Sequence, residues 1–124
     1  MADIDLDRAR NLLKSARELY EHGEVYGVAG LAYQAFESAT TSMLKAINGK
    51  DQHSHEGRRK RAKELLRKYR GKIDFIWEAR NIDFYGNIRL SEDKREITRQ
   101  EVKESIVLIE KMIGEVEKLL SEPQ

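Results

Sequence analysis

The sequence predicts an all-α protein, an antiparallel up-and-down bundle of four to five helices, and three observations carry that prediction. Apolar residues recur every three or four positions through most of the chain. Charged residues make up 36% of it and apolar ones 40%, the mixture that amphipathic helices need. The single proline, Pro123, stands at the extreme end and interrupts nothing. A chain of 124 residues suits one domain, 1–124, with one modest core.

The first helix is predicted over 4–21, where Ala9, Leu12, Leu13, Ala16, Leu19 and Tyr20 keep the helical period and His22-Gly23 supplies a stop. Residues 24–48 read as a second, central helix. It is apolar over a wide arc and rich in small residues such as Gly27, Ala29, Gly30, Ala32 and Ala35, which let a neighbouring backbone approach closely. Gly49 ends it, and in the polar connection that follows Ser54 is placed to cap a third helix running to about Tyr69. Gly71 is expected to separate that helix from a fourth over 72–85, with a loop through 86–97. The last helix opens on Thr98 and Glu101, the spacing of a capping box. It carries Val102, Ile106, Ile109, Ile113, Val116 and Leu120 along one seam, which suits bundle packing better than a coiled coil of barely three heptads.

Net charge is only +1, but residues 58–72 (RRKRAKELLRKYRGK) hold nine basic residues against Glu64 alone, leaving the rest of the chain acidic. That run is the best electrostatic candidate for binding a phosphate backbone or an acidic partner. There is no cysteine, hence no disulfide framework and no thiolate zinc site. The N-terminus MADIDLDRAR is acidic where a signal peptide is basic, and no apolar run is long enough to span a bilayer. The expectation is a cytoplasmic protein without membrane contact.

In the fourth helix Ile73, Ile76, Trp77 and Phe84 form an apolar stripe with Arg80 on it, and Phe75, Ala79 and Ile82 form a second. Two apolar faces require two coverings, which points to a homodimer through this helix. An arginine on such a stripe needs an anion, because unpaired burial of its charge costs several kcal/mol or more. Asp83, three residues on, is the simplest structural partner. The alternative is a ligand phosphate, which the planar guanidinium fork suits, with Asn81 and Tyr85 adding polar contacts.

His53 and His55 raise metal binding, with Asp51 or Glu56 as the only further ligands nearby. No Gly-rich phosphate loop, recognisable nucleophile and base, or carboxylate cluster accompanies them, so neither a metal nor a cofactor is expected.

The segment from Ala9 to Lys50, the SHEG at 54–57 and RNIDFYG at 80–86 together resemble the HEPN (higher eukaryotes and prokaryotes nucleotide-binding) domain family over nearly the whole chain. The resemblance implies a helical bundle that commonly dimerises and is often encoded beside a small nucleotidyltransferase, as in toxin-antitoxin systems. Many members are metal-independent ribonucleases, whose motif is an Arg, often followed by Asn, then about four to six residues and a His. Arg80 and Asn81 match its opening, but Tyr85 occupies the place of the His. A phenol of reference pKa about 10 exchanges protons poorly near neutrality, which argues against efficient cleavage and leaves binding intact.

The expected function is therefore a non-catalytic or weakly catalytic nucleotide- or RNA-binding module, partnered by a nucleotidyltransferase. Its site would be Arg80, Asn81 and Tyr85, with His55, Arg58, Arg59 and Arg61 from the basic helix. An active endoribonuclease toxin using Arg80, Asn81 and Tyr85 or His55 is the first alternative, and a structural homodimeric adaptor with Arg80 locked to Asp83 is the second.

Overall fold

A computed structural model describes residues 3–49, 54–89 and 91–121. The helices are α1 (Ile4–Glu21), α2 (Val28–Asn48), α3 (His55–Leu65), α4 (Arg70–Tyr85) and α5 (Arg99–Ser121), with one 3-10 turn, Arg67–Tyr69, between α3 and α4. The fold is all-α, as the periodicity predicts, and no helix among the described residues is long and apolar enough to cross a membrane.

Local chemistry sets most of the helix ends. The Asp3 carboxylate accepts from the Leu6 N–H at 3.0 Å to open α1, and Ser54 Oγ accepts from the Gly57 N–H at 2.9 Å to open α3. At α5 the capping box is closed in both directions. Thr98 Oγ1 accepts from the Glu101 N–H at 3.1 Å, and Glu101 Oε1 accepts from the Thr98 N–H at 2.9 Å. Gly49 ends α2 in the left-handed region, at φ 77°, where a side chain would be strained.

Two boundaries differ from the sequence reading. Helix α2 starts at Val28 rather than at 24, because Gly27 takes φ 83° and turns the chain just before it. The break between α3 and α4 falls at Leu66 (φ −112°, ψ 61°), so α3 stops short of Tyr69 and Gly71 lies inside the first turn of α4. The 3-10 turn at Arg67–Tyr69 redirects the chain between the two helices, and Leu66 and Tyr69, at its two ends, are both buried.

Helix α2 is central and packs on α1, α3, α4 and α5. Long-range pairs give the directions. Asp3, at the start of α1, takes the hydroxyl of Ser42 late in α2, while Arg10 pairs with Glu117 and Arg17 with Glu110. Helix α1 therefore runs antiparallel to both α2 and α5. The core is made by Leu13, Tyr33, Phe36, Met43, Ile73, Ile76, Ile109 and Ile113, each at most 2% exposed, and each such side chain adds about 1.5–3 kcal/mol on burial. The seam of α5 is buried from Val102 to Val116, and Leu120 is half-buried.

In α4 the buried line is Ile73, Ile76, Ala79 and Ile82, which draws on both predicted stripes. Trp77, Arg80 and Phe84 lie beside it on a half-buried to exposed flank. Arg80 is thus at the edge of the bundle and not in its core.

Candidate functional site: a cation and aromatic cluster on α2, α3 and α4

Residues three or four apart share one side of a helix, so His55 and Arg59 of α3 face the same way, as do Trp77 and Arg80 of α4. The two pairs meet at the Trp77 indole. The Arg59 guanidinium lies 4.0 Å from the ring centroid and that of Arg80 4.8 Å. The His55 ring stands 5.6 Å from the indole, and Tyr33 reaches it from α2 at 5.4 Å. Cation–π attraction holds a guanidinium in such a place without neutralising it.

Arg80 is not paired with Asp83, which corrects the ion pair expected from their spacing. Its Nη1 donates to Asn81 Oδ1 at 2.8 Å, and its guanidinium also faces Phe84 at 5.0 Å and Tyr85 at 5.9 Å. The Asp83 carboxylate instead accepts from the backbone N–H groups of Gly27 (2.7 Å) and Gly30 (2.9 Å), capping the N-terminus of α2. Two backbone donors at the positive end of a helix dipole outcompete one flexible guanidinium. Arg80 and Arg59 make no ion pair among the described residues.

Among the described residues His55 has a hydrogen-bond partner at one nitrogen. Its Nδ1 lies 2.5 Å from Glu37 Oε2, and the same oxygen is 3.6 Å from Arg58 Nη1. A carboxylate at Nδ1 fixes that nitrogen as the donor and sets the orientation of the ring. The Glu37 side chain is only 13% exposed, so it is a firm anchor for the ring.

Deeper in the cluster the Tyr33 hydroxyl is buried with no hydrogen-bond partner among the described residues. Burial pushes its pKa well up and the Glu37 charge adds to the effect, while the nearby Arg59 and Arg80 charges pull the other way and lose. The Arg59 guanidinium is close to this oxygen without hydrogen-bonding geometry to it. The phenol therefore stays protonated.

Of the residues singled out in the sequence, Arg80, Asn81, Tyr85, His55 and Arg59 converge here. Asn81 is buried, and Tyr85 is 60% exposed at the outer end. A hollow of about 460 Å³ lined by Phe84, Tyr85, Asn87, Ile88 and Lys94 continues outward from Tyr85. Arg58 borders the cluster through Glu37. Arg61, two residues beyond Arg59 and on another side of α3, pairs with Glu64. Lys63 pairs with Asp74 and Lys68 with Glu115, so the basic run is partly neutralised and is not one continuous free surface.

His53 and Asp51 lie outside the described residues. Among the described ones no group of three or more His, Asp or Glu side chains is arranged to hold a metal ion. Sequence reasoning missed Trp77, Glu37, Tyr33 and Asp83 as members of the site. The signal for Trp77 was the matched spacing of His55 with Arg59 and of Trp77 with Arg80, but only the packing of α3 on α4 joins the two.

No curated protein and no solved structure matches this chain. The family model of the HEPN domain matches residues 3–119. With a match of that extent over a helical bundle bearing the Arg80-Asn81 motif, this chain belongs to the HEPN domain family.

Proposed function

We propose that this HEPN-family, nucleotide- or RNA-related module binds a phosphate-bearing ligand, RNA or a nucleotide, at the Trp77 cluster, and that it is at most weakly catalytic. The observation that carries this reading is the pair of guanidiniums, Arg59 and Arg80, on one indole without a carboxylate among the described residues. Of the five N–H donors on Arg80, Asn81 takes one; the rest suit phosphate oxygens. Tyr85, half out of the surface, offers a face for a base to stack on. The exposed Phe84 and Tyr85 on α4 also support a homodimer through this face, and a small nucleotidyltransferase is the protein partner that family membership favours.

A metal-independent ribonuclease is the second reading, and His55 is the observation that favours it. Held by Glu37 and tilted at 46° to the indole that carries Arg80, it places an imidazole, the commonest general acid–base side chain, beside the motif arginine. The purely structural adaptor loses its basis, since it required Arg80 to be locked to Asp83.

Purified protein incubated with mixed cellular RNA in EDTA separates these readings. The binding module gives retarded but intact RNA, loses retardation in Arg80→Ala, and gains cleavage in Tyr85→His. Cleavage by wild type that vanishes in both Arg80→Ala and His55→Ala establishes the ribonuclease instead. Binding that does not weaken with added salt would overturn the phosphate reading, because counterion release makes such complexes salt-sensitive.

A further inference from the structure

We infer that Asp83 is a positioning residue of the site: through its bond to the start of α2 it sets the roll of α4 and so aims Arg80. This rests on the reading of the Trp77 cluster as a ligand site. Asp83 lies in the turn that follows Arg80 and Asn81, yet its carboxylate is spent on another helix, at Gly27 N–H and Gly30 N–H. A side chain that only capped α2 would do so equally well from any place on the surface; this one comes from inside the motif.

The next residue completes the lock. The Phe84 ring lies against Gly30 so closely that a Cβ at position 30 would collide with it. One face of α4 is thus held at 83 by two hydrogen bonds and at 84 by a ring seated on bare backbone. The lever arm makes this matter. A guanidinium stands roughly 7 Å from its helix axis, so a roll of about 20° carries it roughly 2 Å. A shift of that size is enough to spoil a bidentate contact with phosphate.

The test compares wild type, Asp83→Asn, Asp83→Ala, Gly30→Ala and Thr98→Ala. The last removes a helix cap at α5, a helix that contributes no residue to the cluster, and controls for lost stability. Each is measured for binding to a fluorescein-labelled single-stranded RNA and for acrylamide quenching of Trp77, the sole tryptophan. The expected result is RNA binding weakened roughly tenfold in Asp83→Ala at equal folded fraction, with more quenching of Trp77. Asp83→Asn, which keeps one acceptor oxygen, falls between that variant and wild type. Gly30→Ala resembles Asp83→Ala, and Thr98→Ala matches wild type in both readouts. Unchanged quenching and affinity in Asp83→Ala, or an equal loss in Thr98→Ala, overturns the inference. Failure of wild type to bind RNA overturns the proposed function alone, because the quenching series still decides the role of Asp83 without ligand. Should Asp83→Ala not fold, the comparison of Asp83→Asn with Thr98→Ala decides it.

Discussion

The cations that tie α1 to its neighbours and the two arginines that meet on Trp77, at the α3–α4 junction, face different partners. Arg10 and Arg17 reach Glu117 and Glu110 on α5, and Lys45 reaches Asp5 on α1 at 2.9 Å, so each charge in this frame is matched by a carboxylate on another helix. Arg59 and Arg80 face aromatic rings instead. A carboxylate would occupy the guanidinium donors, whereas a ring steadies the cation and leaves its N–H edge free. The frame uses charge to stay together, and the junction holds charge in reserve.

The largest effect that would sharpen this contrast belongs to the frame's core. Ile109→Ala, at a position with no exposure, is expected to cost about 2–5 kcal/mol in chemical denaturation while leaving RNA affinity per folded molecule unchanged. Arg80→Ala should do the reverse. Loss of hydrogen bonds to a charged ligand group weakens RNA binding roughly 10- to 100-fold in a titration, with stability altered by less than about 1 kcal/mol. If Arg80→Ala instead unfolds the protein, the contrast between the two regions breaks.

Next comes the acid response of the α5 cap. Arg95 grips both oxygens of Glu101, at 2.8 and 2.7 Å, and with the Thr98 bonds holds its pKa down to about 2 from an ordinary 4.5, against the opposing effect of burial. Because the folded value is the lower one, this pair stabilises the fold above pH 4.5 and is lost as pH falls from there towards 2. Wild type should therefore exceed Glu101→Gln in stability at about pH 6, with the gap closing in acid denaturation series near pH 2. The smallest effect is expected for Arg17→Ala. Its bridge to Glu110 is exposed on both sides, so its loss costs at most about 1 kcal/mol in thermal unfolding and less in high salt.

The fold was legible where local patterns determine it. The seam of α5, its capping box, the Ser54 cap and the Gly49 stop all depend on residues within a few positions of one another. The break at Leu66 was not legible, because Leu66 and Tyr69, both buried, keep the three-residue spacing of an unbroken helix and no glycine or proline stands between them. At the site, Arg80, Asn81 and Tyr85 were visible from the motif, but the partner of Arg80 was misread. Spacing alone offered it Asp83, whose stronger attraction to the amides of Gly27 and Gly30 lies more than fifty residues away in sequence. Trp77 was likewise read only as part of an apolar stripe, since an indole there gives no local sign of the two arginines it will meet.

The exposure of Tyr85 has a bearing on how such a chain changes over generations. With 60% of the residue in solvent and only Phe84 and Arg80 against its ring, the fold places little demand on what stands there. Tyrosine and histidine codons differ by a single base, so one transition exchanges a phenol for an imidazole there. The side-chain chemistry at position 85 is thus open to change without crossing a valley of unfolded ancestors.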